Sequence, residues 1–179
     1  MVNIYKQKLT NLQQEILRLL FVKAGTSLNQ NEIAKLLDVS PPAVMKALPD
    51  LEKESQIKIT KDKRWSIGLN RDNYKMLQLK RVDNLRLIYE TGLADFLEKE
   101  FAGAAIILFG SYPRGEDIIN SDIDIAVIGR KDKTLDLTKY EKELERQINI
   151  NFYDSFKNIH KNLKENLCNG IILAGSVEL

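Results

Sequence analysis

The sequence predicts an α+β protein of two small domains joined by a helical connector, and three observations carry that prediction. Residues 1–69 read as helix, helix, turn, helix and then an alternating hairpin with a basic tip. Residues 101–179 interleave short apolar runs with amphipathic stretches, the pattern of a small mixed sheet with helices packed on it. A Gly-Ser pair at 110–111 closes the first of those runs, and Asp122 and Asp124 open the second. The 179 residues permit one ordinary domain or two small ones, at roughly 100–200 residues per domain.

The elements follow in chain order. Leu9, Leu12, Ile16, Leu19 and Leu20 recur at helical spacing, and the helix stops near Gly25. Asn29 or Asn31 is suited to cap a short second helix with Ile33, Leu36 and Leu37. Asp38-Val39 makes the turn. Ser40-Pro41-Pro42 then reads as an N-cap with prolines in the first turn, where a missing N–H costs nothing. The third helix sets Val44, Leu48 and Leu51 on one face. Strands 57–60 and 64–67 flank a polar turn, Lys61-Asp62-Lys63. Residues 70–100 form the connector, helical with a break at Gly92. Beyond Gly103, Ala104–Phe109, Ile123–Ile128 and Ile148–Phe152 are strands, and Leu135–Gln147 is an amphipathic helix. Asp154-Ser155 caps a helix running to about Leu167, and the apolar tail 171–175 docks on the domain. Cys168 is expected to be buried, and His160 to lie on a wet helix face with Lys157, Lys161 and Lys164.

Bulk properties narrow the function classes. Apolar residues are 44% and charged residues 29%, which argues against wholesale disorder. The apolar run 102–109 is far short of the ~20 residues a membrane helix needs. No signal-peptide pattern follows Met1, and a single cysteine suits a reducing cytoplasm. With one histidine and one cysteine, His/Cys zinc sites and Ser-His or Cys-His catalysis are disfavoured. The net charge of +2 is uneven: residues 1–69 hold 11 Lys+Arg against 7 Asp+Glu, a net of +4, and the remainder nets −2. The basic part is the better candidate for contacting phosphate.

The chemistry concentrates in Gly110-Ser111-Tyr112-Pro113-Arg114-Gly115, continued by Glu116–Ser121 and Asp122-Ile123-Asp124. Two carboxylates two apart on a strand face the same way, with Ile123, Ile125 and Val127 facing the core. Such a pair suits one or two Mg²⁺ ions held against a triphosphate. Gly110 permits close approach of backbone to phosphate. Ser111 and the N–H groups opening the next helix are candidate phosphate donors. Arg114 is equally suited to a phosphate, to the acceptor, or to pairing with Glu116 or Asp117.

This segment resembles the signature of the DNA polymerase beta-like nucleotidyltransferase superfamily: Gly-Ser, ten residues, Asp, any residue, Asp. It is most similar to the minimal nucleotidyltransferase branch, and residues 1–69 resemble winged helix-turn-helix regulators. The resemblance implies a small mixed-sheet nucleotidyltransferase fold at 101–179. It also implies catalytic and metal roles for Asp122 and Asp124, and nucleotide contacts from Gly110, Ser111 and Arg114. Mg²⁺ and an NTP, most plausibly ATP, are the implied cofactor and substrate. One departure stands out. Relatives usually place a third carboxylate on the next strand, where this chain has Ile148-Asn149-Ile150-Asn151-Phe152, with Asn149 at the expected position. Asp154 is a weaker substitute, because an Asp-Ser pair before a helix is more often a cap.

For the first domain the resemblance implies double-stranded DNA. Ala43 and Lys46 of the recognition helix, and Lys61, Lys63 and Arg64 at the wing, are the candidate contacts. A solvated hairpin tip would carry the same cations, and Trp65 reads as packing. Dimerisation through the connector is a further expectation by fold analogy.

Two functions compete. One is a DNA-tethered enzyme moving NMP, AMP foremost, from NTP to a hydroxyl. The acceptor would be a protein partner, as in antitoxins that AMPylate their toxin, or a small molecule. The other is a transcriptional regulator with a weakened, nucleotide-sensing domain. A third reading is an assembly module in which both domains only bind protein.

Overall fold

The computed structural model describes residues 9–61 and 65–177. The chain divides into two compact units, Met1–Met76 and Leu77–Leu179. The division falls inside one helix of the stretch read above as connector.

In the first unit, α1 (Asn11–Val22) begins at a capping box. The Gln13 N–H donates to Thr10 Oγ1, and the Thr10 N–H donates to Gln13 Oε1. The same device starts α2 (Gln30–Leu36): Asn29, not Asn31, is the cap, with Glu32 as its reciprocal partner. The turn passes through Asp38 at φ +52°, and Ser40 caps α3 (Pro41–Lys53). Strands β1 (Ile57–Lys61) and β2 (Trp65–Leu69) pair antiparallel, and a bridge from Leu28 to Ile67 adds a third short partner. Ile16, Leu20, Ile33, Val44, Leu48, Leu51 and Ile67 are all essentially inaccessible and form one core. Three helices and a bridged hairpin in this order are a winged helix-turn-helix.

The second unit begins within α4 (Tyr74–Glu90) and continues with α5 (Leu93–Glu100) after Gly92. Its sheet has the order β5-β4-β3-β6. Strand β3 (Ala105–Phe109) pairs antiparallel with β4 (Ile123–Ile128). Strand β5 (Ile148–Tyr153) lies parallel to β4, reached through α6 (Thr138–Leu144). Strand β6 (Ile171–Ala174) pairs antiparallel with β3, so the apolar tail docks as a fourth strand. Alternation divides the sheet's two faces. Ile106, Leu108, Ile123, Ile125, Val127 and Ile148 pack with Leu93 and Leu97 on one side. Ala105, Ile107, Phe109, Ala126 and Ile128 pack with Phe156, Ile159 and Leu167 on the other.

Three local expectations are corrected. The helix foreseen over Leu135–Gln147 is only α6, because Asp136 caps the N–H of Thr138 and Glu145 turns left-handed at φ +52°. Leu135 and Leu137 still reach the core from irregular backbone. The helix foreseen from Asp154-Ser155 to Leu167 is broken into a 3₁₀ turn at Phe156–Asn158 and α7 (Lys161–Cys168). Extended backbone at Ile159 allows both Phe156 and Ile159 to enter the core, and the foreseen lysine stripe is lost with the helix. The Lys164 ammonium instead donates to the Lys157 carbonyl. Cys168 is exposed, not buried: Leu167 takes the inward position and the next residue is rotated by about 100°.

Among the described residues, no helix is long and apolar enough to cross a membrane.

Candidate active site

Antiparallel β3 and β4 bring the end of one strand beside the start of the other. Phe109 is in register with Asp124, so the chain turns out of the sheet at Gly110 directly against the Asp124 carboxylate. Gly110 sits at φ +83°, and a methyl group on its Cα would lie 2.6 Å from Asp124 Oδ2. Only glycine satisfies both the dihedral and the space. Asp122 is exposed, one residue ahead of β4, and Asp124 is half-buried. Ile123, Ile125 and Val127 are fully buried on the opposite face.

Parallel pairing of β4 with β5 sets Asn149 in register with Asp124. The Asn149 amide donates to Asp122 Oδ2 at 3.1 Å. An acid at this position would meet the same oxygen as a like charge. Asp154 is exposed beyond the end of β5, past Tyr153, which is in register with Ile128 at the far end of β4. It therefore lies away from the strand ends that bear Asp122 and Asp124.

The spacer between Ser111 and Asp122 is the stretch expected as a helix or turn, and it is a turn. It opens with a single 3₁₀ turn, Tyr112–Arg114, whose following N–H groups are used internally. Those of Arg114 and Glu116 donate to the Ser111 carbonyl, and that of Gly115 to the Tyr112 carbonyl. Arg114 pairs with Glu116, at 2.9 Å from its Nε, and reaches Asn166 of α7 at 3.3 Å. Gly115, at φ +71°, packs on the backbone of α4: an added methyl would lie 2.3 Å from the Leu77 carbonyl oxygen.

Asp117 of the spacer pairs not with Arg114 but within a buried group whose other members the sequence did not mark. Asp117 is fully buried, and Lys80, Asn84 and Arg146 are no more than 5% exposed. Lys80 and Asn84 stand one helical turn apart on α4, but that spacing is common on solvated faces and singles out nothing. Burial pushes the Lys80 ammonium below its ordinary pKa, opposed by the Asp117 charge. Burial, with the Asp117 charge beside it, pushes the Tyr112 phenol well above the usual tyrosine value of 10.0. The folded protein therefore keeps a proton that the unfolded chain loses above that value, and stability falls as pH rises through it. Urea unfolding followed from neutral pH to about pH 11 is expected to show this slope, reduced in Tyr112→Phe; equal slopes would exclude Tyr112 as the source.

Residues 92–177 match the family model described as polymerase beta, nucleotidyltransferase. This segment is a nucleotidyltransferase domain of the polymerase beta type. The match spans the whole sheet and the Gly110–Asp124 segment. No curated protein matches the chain. Among solved structures the chain is similar to a Staphylococcus aureus MepR–DNA complex, at 27% identity and TM-score 0.38, over 51% of this chain and 77% of that one. It is also similar to MepR, a transcription regulator of the Staphylococcus aureus multidrug efflux pump MepA, at 28% and 0.39, over 52% and 70%. A third is the adhesin competence repressor AdcR of Streptococcus pyogenes, at 26% and 0.40, over 55% and 72%.

The other candidate residues belong to the first unit. Lys46 is exposed on α3 and Ala43 is half-buried in its first turns. Lys61 ends β1 with its ammonium 4.6 Å from the centre of the Trp65 ring. Lys63 and Arg64 lie outside the described residues.

Proposed function

We propose that this protein is a DNA-tethered nucleotidyltransferase that binds Mg²⁺–NTP, ATP foremost, at Gly110, Ser111, Asp122 and Asp124 and transfers NMP to a hydroxyl. The observation that carries this reading is the Asp124 carboxylate lying on the bare Cα of Gly110, with Asp122 two residues before it. Two carboxylates and a serine hydroxyl are hard oxygen donors. No cluster of three His, Cys, Asp or Glu able to hold a metal occurs among the described residues. Mg²⁺ is usually bound through one or two carboxylates with substrate phosphates completing the shell, the number of carboxylates that Asp122 and Asp124 offer. When bound, Mg²⁺ supplies positive charge and Lewis acidity at the transferring phosphoryl group.

The chain's own groups have separate tasks in this reading. Gly110 lets phosphate approach the backbone, and the Ser111 hydroxyl donates to a phosphate oxygen. Arg114 exchanges its exposed Glu116 partner for phosphate at little cost, because surface pairs are worth about 0–1 kcal/mol. In transfer the acceptor oxygen bonds to the α-phosphorus, the bond from that phosphorus to the bridging oxygen breaks, and pyrophosphate leaves. The Asn149 amide is no base and carries no charge, so the proton of the acceptor hydroxyl passes to solvent or to the leaving pyrophosphate.

Asn149 also favours a second reading, a regulator that senses nucleotide without turnover. Its amide holds Asp122 where relatives of the resemblance place an acid. Calorimetric titration of the full chain with Mg²⁺ and a non-hydrolysable ATP analogue tests the shared core of both readings. Saturable binding supports it. No heat with ATP, GTP, CTP or UTP analogues, in Mg²⁺ or Mn²⁺, would defeat it. Transfer of label from α-labelled ATP then separates enzyme from sensor.

For the first unit we propose that α3 enters the major groove of double-stranded DNA, with Lys46 on phosphate and Lys61, Lys63 and Arg64 as further phosphate contacts. Lys46→Ala is expected to weaken binding to all sequences alike and to lower the salt slope by about one. An unchanged slope would remove Lys46 from the interface.

A further inference from the structure

Asp117 occupies the middle of the spacer that separates Ser111 from Asp122. Its carboxylate is fully buried and receives three donors from two other parts of the unit. Oδ1 accepts from Lys80 Nζ at 2.5 Å and from Asn84 Nδ2 at 2.7 Å, both on α4. Oδ2 accepts from an Arg146 guanidinium nitrogen at 3.3 Å. The Asn84 amide also donates to the carbonyl of Tyr112, the residue after Ser111, at 2.8 Å. Arg146 is one residue before Gln147, whose carbonyl accepts from the Ile123 N–H at 2.8 Å. A single carboxylate thus ties together the three segments that bear Ser111, Asp122 and Asn149.

Stability alone is a poor explanation for this arrangement. Removing three charges from water costs several kcal/mol per ion, and well-packed apolar residues of equal volume often serve a fold as well or better. A buried charge cluster does fix one geometry, because each donor must meet its acceptor or be left buried and unmatched. The backbone is held to the same demand at Gly115, where a methyl would strike the Leu77 carbonyl of α4.

We propose that Asp117, gripped by Lys80, Asn84 and Arg146, is the positioning residue of the nucleotide site: it fixes the path of the spacer and so the separation of Ser111 from the Asp122–Asp124 pair. This rests on the nucleotide-binding reading above. Asp117 touches no substrate in this scheme and acts through the backbone at both ends of the spacer. Its loss is felt as weakened capture of metal-nucleotide by protein that is still folded, whereas a merely structural role would lower Tm and leave the affinity of the folded protein unchanged.

The test uses the full chain as wild type, Asp117→Asn and Asn84→Leu, with Asp124→Ala as the reference for a lost site. Tm is measured for each, and affinity for Mg²⁺ with a non-hydrolysable ATP analogue is titrated well below every Tm. Both variants are expected to bind about tenfold to a hundredfold more weakly than wild type, the usual loss for an outer-shell partner. Asn84→Leu keeps all three charges paired, so it decides the matter should Asp117→Asn fail to fold. Folded variants that bind like wild type would overturn the positioning role and leave the nucleotide reading standing. A wild type that binds no nucleotide would overturn both.

Discussion

Replacing Asp124 by alanine is expected to abolish metal-nucleotide binding while leaving the fold intact. Asp124 is half-buried at the start of β4, its carboxylate against the Gly110 turn, so it is the acid most closely joined to the Gly-Ser backbone. Its backbone pairs with Phe109 and Asn149, and those ladder contacts do not depend on the side chain. Asp122 alone, exposed and bonded to the Asn149 amide, retains one charge for a cation that needs several oxygens. Removing one of two neighbouring carboxylates also relieves repulsion in the free protein. Tm is therefore expected to hold or to rise by the equivalent of about 0.5–1 kcal/mol, as when a site strained for function is relaxed. Calorimetry and a thermal melt on the same sample check both halves. Undiminished binding would move the site elsewhere, and a collapsed Tm would make Asp124 a structural residue.

Converting Asn149 to aspartate is expected to do the opposite to turnover. Parallel pairing keeps position 149 beside Asp124, and its present amide already lies 3.1 Å from Asp122, so the new carboxylate arrives without backbone change. It adds a negatively charged oxygen and a base beside Asp122 and Asp124. Positioned general bases contribute about 10²–10⁴-fold, and a gain within that range in release of pyrophosphate from ATP is the expected result. The cost appears without metal: a hydrogen bond is exchanged for repulsion, so Tm falls in chelator and recovers with Mg²⁺. A wild type that already turns over ATP well, as fast as Asn149→Asp at saturating Mg²⁺, would show that the missing acid was never limiting and would remove the sensor reading.

The sequence made the motif legible because the chemistry demands fixed residues at fixed spacing along one stretch of chain. Ile123–Ile128 alternates against a sheet, and its bounds in the structure are those the pattern implies. Caps were equally open to reading: Thr10 apart, Ser40 and one of two asparagines were visible as donors' partners before any helix was seen. Features decided by distant parts of the chain were not. Leu135 and Leu137 are apolar residues leading into an amphipathic stretch, yet they reach the core from irregular backbone before α6 begins. The break at Ile159 depends on where Phe156 and Ile159 find their pocket, and the type of Cys168 suggests burial while the inward helix face belongs to Leu167. Lys80, Asn84, Asp117 and Arg146 are ordinary surface residue types, scattered over 67 positions, and only the folded chain brings them together. The helix or turn expected after Ser111 is one 3₁₀ turn, with the N–H groups of Arg114, Gly115 and Glu116 used locally.

The in-register pairing of position 149 with Asp124 has a genetic consequence. Asparagine and aspartate codons differ only in their first base, an adenine or a guanine. The strand already presents this side chain at the right place, facing the right way, with no insertion or loop to rebuild. A single purine transition therefore separates a site with two carboxylates from one with three. Under the function proposed above, that one transition would separate a nucleotide-holding form from a turning-over form, with no second change needed in the strand that carries the residue.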